Sequence, residues 1–212
     1  VTAKDGTPVF DGNLDAKVSD LRRLMSWLGA DPPDVPSDRL RNAAFKGRIV
    51  ADAREIRGRD LEITLDTSRI TGAITLAKRK KPAFGARFKV DRLNLDAYLK
   101  SANGNKGGGN KTAKKGADPL AFLTVLNRFD ANLQLEIERL TYLGVPFNAV
   151  ALKGTVFGGD VEIREASVGD VAGAKGLLSG RLVGLPKIPA VKGVHFELRG
   201  VDLVRLLRQL QV

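Results

Sequence analysis

The sequence predicts a mainly β fold with short α-helices. It is expected to form a strongly curved antiparallel sheet, a β-groove or half-pipe, built from strand-plus-helix repeats. Three observations predict this. Apolar and polar residues alternate with a period of two from Phe45 to Leu198, the signature of strands with one apolar and one wetted face. Only a few short amphipathic helices accompany these strands. Glycines recur in phase with the apolar set, at Gly47, Gly72, Gly154, Gly176, Gly180 and Gly184, where a bend brings inner side chains together. About ten strands of roughly 30 Å present more apolar surface than such helices can roof. That leaves a two-sheet sandwich, a closed barrel or a curved sheet, and the small inner residues favour the last.

The elements follow in order. Val9 to Val18 reads as a strand with Phe10, Gly12, Leu14, Ala16 and Val18 on one side. Ser19 or Asp20 can then cap a helix bearing Leu21, Leu24, Met25 and Leu28, stopped by Gly29 and Pro32-Pro33. Four strands are expected near 40–56, 60–67, 69–78 and 82–92, with turns at Arg57-Gly58, Thr67-Ser68 and the basic corner Lys78-Arg79-Lys80-Lys81. A short helix is expected around Leu95 to Leu99. Residues 101–117 are Gly-, Asn- and Lys-rich and predict a flexible loop. Asp118-Pro119 opens a helix with Phe122, Leu123 and Leu126 inward. Five further strands fall near 130–139, 146–157, 160–168, 175–184 and 192–199, and Phe157-Gly158-Gly159-Asp160 reads as a hairpin turn. Asp202 can cap a last helix carrying Leu203, Leu206, Leu207 and Leu210.

Stacking the strand-to-helix junctions reveals a repeat. Leu14, Phe88 and Phe196 each precede an inward residue by two positions (Ala16, Val90, Leu198) and a helix leucine by seven (Leu21, Leu95, Leu203). The chain therefore reads as one segment, 1–212, with sub-repeats of about 1–100 and 118–212.

Composition narrows the chemistry. The 35 Lys and Arg exceed the 24 Asp and Glu, giving a formal charge of +11. Five of those lysines lie in the 100–116 loop, and without them +6 remains. The other cations mostly alternate with acids on wet strand faces, so nucleic acid is disfavoured as a partner, and aromatics do not interleave with the bases. There is no cysteine, which removes disulfides and thiolate metal sites. The one histidine, His195, has no nucleophile motif beside it, and no HExxH, phosphate loop or dinucleotide fingerprint occurs. No catalytic residue, metal ligand or cofactor is expected, and the chain reads as a non-enzyme. No run of eighteen apolar residues exists.

The order of Phe10-Asp-Gly-Asn-Leu14, Ser-Asp-Leu21, Trp27-Leu28-Gly29 and Leu93-Asn-Leu95-Asp96-Ala-Tyr98-Leu99 resembles the AsmA family of Gram-negative envelope proteins, relatives of TamB. The segments Leu133-Gln-Leu135-Glu-Ile137-Glu-Arg139-Leu140-Thr-Tyr142 and Gly173 to Leu182 are similar to stretches of that family. The resemblance implies a periplasmic β-rich module, tethered to the inner membrane through a segment not present in this chain and associated with outer-membrane biogenesis and lipid transport. The chain would be a section of a longer protein.

These readings converge on an apolar face that shelters phospholipid acyl chains. The residues expected to line it are Phe45, Ile49, Leu61, Ile63, Leu65, Ile74, Phe88, Leu133, Leu135, Leu152, Val156, Leu178, Leu182 and Phe196. Neighbouring segments of the parent chain and envelope assembly factors are the other expected partners. The alternative is a non-catalytic structural or interaction scaffold with a closed apolar core, whose sheet edges pair with other strands.

Overall fold

A computed structural model describes residues 2–4, 7–27, 29, 35–99, 128–184 and 190–200. Eleven strands form one sheet in which spatial order equals chain order. They are β1 Thr2–Lys4, β2 Thr7–Val18, β3 Ala43–Ala51, β4 Glu55–Leu65, β5 Ser68–Ala77, β6 Ala83–Asn94, β7 Asp130–Tyr142, β8 Val145–Phe157, β9 Asp160–Val171, β10 Ala174–Val183 and β11 Ala190–Gly200. Among the described residues one helix, α1 (Leu21–Trp27), follows β2, and a 3₁₀ turn (Leu95–Ala97) follows β6.

The expected half-pipe is not what forms. The sheet is open and not strongly curved: each strand packs substantially only against its sheet neighbours, and β1 and β11 remain separate edges. Side chains that would shelter one another inside a trough stay wet, as with Phe196 at 64 % and Val191 at 68 % exposure. The physical reason lies in the glycines. A Cβ on Gly47 would stand 2.6 Å from Leu61 Cδ2, and one on Gly72 would stand 1.9 Å from the Arg87 carbonyl oxygen. These glycines admit a neighbour's side chain or backbone within the layer rather than bending it. Gly184 leaves β10 with a positive φ instead of sitting within a strand.

The sheet is also not purely antiparallel. All pairs but one are antiparallel; β6 and β7 run parallel, Ala83 beside Asp130 and Asn94 beside Thr141. This joint unites a β1–β6 half and a β7–β11 half. Because of it, β2, β6 and β11 run in the same direction. The sheet therefore has a helix end, where Val18, Leu65, Asn94 and Tyr142 lie, and a far end with Ala51, Ala77 and Phe157.

Most strand positions match the alternation, with differences at turns. Arg57-Gly58 lies inside β4; the turn is Asp52–Arg54, held by Asp52 Oδ1 accepting the Arg54 and Glu55 N–H groups at 2.7 and 2.8 Å. The next turn is Asp66-Thr67, closing the Leu65–Ser68 pair. Three hairpins close on two residues of positive φ: Leu143-Gly144, Gly158-Gly159 and Ala172-Gly173. That handedness matches the twist of the flanking strands. Asp20 caps α1 by accepting the Arg23 N–H at 3.1 Å, and Gly29 ends the helix with φ 75°. The expected helix at Leu95–Leu99 tightens to the 3₁₀ turn. Leu28, Pro32-Pro33, the 101–117 loop, the helix from Asp118 and the helix from Asp202 lie outside the described residues.

Candidate functional site

Register converts the alternation into a surface. Residues paired across a sheet point to the same side. One transverse row runs Ala16, Phe45, Ile63, Ile70, Val90, Ile137, Val150, Val168, Gly176, Leu198 without a polar member. The next runs Leu14, Gly47, Leu61, Gly72, Phe88, Leu135, Leu152, Ala166, Leu178, Phe196, passing the β3–β4 bulge between Gly47 and Leu61. A third carries Ile49, Gly58, Ile74, Ala86, Leu133 and Ile163, and a fourth carries Phe10, Ile56, Leu76, Phe84, Val156, Val161, Leu182 and Val191.

Every residue expected to line an apolar face lies on this one side: Leu65 through its pairing with Ala43, the rest in the four rows. The repeat also becomes geometric, since Leu14, Phe88 and Phe196 share a row, and Ala16, Val90 and Leu198 share the next.

Bulges keep the rows in phase. In β4 the extra residue is Asp60, with φ 50°, so Gly58 and Leu61 both face the apolar side. Leu61 sinks over Gly47 and Gly58 opposite Gly72 and is only 2 % exposed. In β9 the register shift between Ile163 and Glu165 resets the alternation, so that Ala166 and Val168 continue the rows.

Little else is shielded. The described hydrophobic core is Leu40, Leu61, Val90, Ile137, Val145, Val171 and Ala174, and among the described residues no large side chain is fully buried. Among the described residues no second layer covers the rows. Phe10, Leu14, Ile74, Leu76, Leu178, Val191, Phe196 and Leu198 are all among the exposed large hydrophobics. The apolar side holds a depression of about 320 Å³ toward the far end, lined by Phe84, Phe129, Leu133, Leu152, Val156 and Ile163. The Phe84 and Phe129 rings meet there at 5.1 Å between centroids. Of these, Phe129 was not legible from alternation because it precedes its strand, whereas Leu133, Leu152 and Val156 were.

The other face is wet and ionic. Cross-strand pairs include Arg48–Asp11 at 2.8 Å, Lys89–Glu136 at 3.2 Å, Lys153–Glu165 at 2.7 Å and Arg181–Glu162 at 2.7 Å. The Arg48 guanidinium holds the Asp11 carboxyl below its usual range, and Lys153 with Ser167 does the same for Glu165. Such exposed pairs are screened by solvent and add little to stability. His195 lies exposed on this face opposite Ser179.

Carboxylates also brace the strand ends. Asp66 accepts the Leu40 and Arg41 N–H groups at 2.8 and 3.0 Å and the Tyr98 hydroxyl at 2.9 Å. Burial raises its pKa, but these donors outweigh burial and leave it lowered. Burial and the Asp66 hydrogen bond push the Tyr98 phenol up to about 12. Asp96, in the 3₁₀ turn, accepts the Leu143 and Gly144 N–H groups at 2.7 and 2.8 Å and ties the two halves together. Each of these carboxylates is committed to backbone. Among the described residues no group of three or more metal-ligating side chains converges, and no helix is long and apolar enough to cross a membrane. Comparison with protein-family models, with curated proteins and with solved structures finds no match.

Proposed function

We propose that this chain is a lipid-handling segment whose open sheet face takes up phospholipid acyl chains, leaving headgroups in water. The observation that carries the reading is the set of four apolar rows crossing β2 to β11 with no described layer over them. Binding would draw on apolar burial at about 0.8 kcal/mol per methylene. A depression of about 320 Å³ has the volume of about ten water-sized groups, enough to seat part of one chain. The resemblance to AsmA-type proteins extends this proposal to a place in the Gram-negative periplasm, in a longer inner-membrane-tethered protein serving outer-membrane biogenesis. Neighbouring segments of that protein and envelope assembly factors are its proposed protein partners.

Native mass spectrometry of the purified chain tests the reading. Phospholipid is expected to accompany the folded protein at fixed stoichiometry. It is expected to be lost in Leu135→Asp and Ile63→Asp variants that keep the β-sheet circular-dichroism signal. A lipid-free chain, or Asp variants that retain lipid, would refute it.

A second reading rests on β11. It is the last strand of the described sheet, and all but one of its residues are exposed. In that reading the chain is a scaffold extended by strand addition. A crosslink from β11 to a neighbouring segment of the parent protein would favour it.

A further inference from the structure

We propose that the far end of the sheet is a headgroup subsite selecting anionic phospholipids over zwitterionic ones. This rests on the acyl-chain reading and adds a specificity to it. Two features meet at that end. The depression between Phe84, Phe129 and Val156 is lined almost wholly by carbon. Directly beside it, between β5 and β6, is the turn Lys78-Arg79-Lys80-Lys81.

Register ties the two together. Ile56, Leu76 and Phe84 form the outermost apolar row. One rung further out, the Lys78 N–H donates to the Arg54 carbonyl at 2.6 Å. Lys78 and Arg54 thus stand in phase with the apolar rows and end them in positive charge. Strands lie about 4.8 Å apart, so the β5–β6 turn is within about 10 Å of the depression's Phe84 wall. That is also about the Debye length at 0.1 M salt.

Cations outnumber acids at this end: Arg54, Arg57, Lys78, Arg79, Lys80 and Lys81 stand against Asp52, Glu55, Asp130 and Asp160. Asp130 takes Lys81 at 2.8 Å and Arg79 at 3.7 Å, and it also accepts the Gly158 N–H at 3.2 Å. Asp52 accepts the Arg54 and Glu55 N–H groups, Asp160 accepts the Gly184 N–H at 3.1 Å, and both keep their charge, while Glu55 lies 3.5 Å from Arg57. Lys78 and Lys80 are exposed and make no ion pair among the described residues. The helix end also carries cations with no ion pair among the described residues, Lys17 and Lys175 among them, but the carbon-lined depression lies at the far end. An amphiphile whose tail occupies the depression therefore meets surplus positive charge at the far end, where its phosphate emerges. Lysine stems can lie along the apolar rim while the ammonium groups reach that phosphate.

Extraction from vesicles of equimolar phosphatidylglycerol and phosphatidylcholine, matched in acyl chains, tests the subsite. Bound lipid is quantified by mass spectrometry. The unaltered chain is expected to enrich phosphatidylglycerol, whose headgroup carries a net negative charge, on the order of 25-fold, at about fivefold for each of Lys78 and Lys80. Lys78→Gln with Lys80→Gln should bring the ratio near one while total lipid stays unchanged. Lys17→Gln with Lys175→Gln, the same charge loss at the helix end, should keep the enrichment. Equal uptake of both lipids by the unaltered chain overturns the subsite and leaves the acyl-chain reading intact. An equal fall in the helix-end variant overturns it too, by showing that overall charge decides. Extraction of neither lipid overturns both readings.

Discussion

Placing an alanine at Gly47 sets a Cβ 2.6 Å from Leu61 Cδ2 and 3.1 Å from the Arg59 carbonyl oxygen. Leu61 is the most deeply buried hydrophobic among the described residues, and Gly47 gives it room. Overpacking of this kind costs about 1 to 3 kcal/mol, offset by about 0.5 kcal/mol from the stiffer unfolded chain. Leu61→Ala alone should cost about 3 kcal/mol, within the range for leucine truncation at buried sites. If Gly47 is glycine in order to admit Leu61, the two changes must couple. With Leu61 truncated, the contact at 2.6 Å is gone and Gly47→Ala should cost about 1 to 2 kcal/mol less than in the parent chain. Urea unfolding followed by far-ultraviolet circular dichroism, run on both single variants and the double variant, measures the coupling. Equal costs for Gly47→Ala in the two backgrounds would refute the reasoning. The glycine would then serve the backbone, as a sheet bent at its glycines requires.

Gly72→Ala tests the same principle against backbone rather than side chain. Its Cβ would stand 1.9 Å from the Arg87 oxygen, so β5 and β6 must separate; amide exchange should accelerate across that pair, with a loss of about 3 kcal/mol or more. Leu143 turns with φ 52° and is 65 % exposed, so Leu143→Asn, creating an Asn-Gly turn, should raise the urea midpoint by the equivalent of about 0.5 to 1 kcal/mol. Asp66 has a folded pKa below its unfolded value near about 3.9, so its contribution is complete above that value and is lost as pH falls through the folded one. Asp66→Asn should therefore lower stability at neutral pH and flatten the acid limb of the urea midpoint against pH. Tyr98 is raised to about 12 in the fold, so its contribution is complete below about pH 10 and is lost as pH rises toward 12. Phenolate absorbance should show its titration moving down in Asp66→Asn and disappearing in Tyr98→Phe.

Periodicity made the strands and their faces legible. Phe84, Ala86, Phe88 and Val90 needed no structure to be assigned to one side, because a strand's side chains alternate whatever surrounds them. Curvature was not legible in the same way. Gly47 and Gly72 are in phase with the apolar set whether the layer bends or a neighbour packs onto them, and only the position of Leu61 or Arg87 decides between the two. The Asp52 turn was hidden because Arg57-Gly58 resembles a turn more than Asp-Ala-Arg does, while the signal lay in the Asp52 carboxylate reaching the Arg54 and Glu55 N–H groups. The parallel joint between β6 and β7 has no local signature at all. It follows from two halves that each start at the far end, and sequence alternation carries no direction.

Losing the trough changes what the apolar face asks of a ligand. A half-pipe shields its own walls, and one chain threaded along it would be wrapped on three sides. An open sheet shields only what its own neighbours cover, as Gly47 and Gly58 let Leu61 be covered, and leaves Leu14, Phe196 and Val191 wet. Several chains laid side by side, or a second apolar layer, are then needed to dry the four rows. Both β2 and β11 carry such wet residues near the sides of the sheet, so a cover restricted to the central depression would leave apolar area exposed at each side. A ligand set that follows the rows across all these strands dries the face, which makes lipid stoichiometry above one the natural companion of an open sheet and a single tightly held chain the companion of a trough.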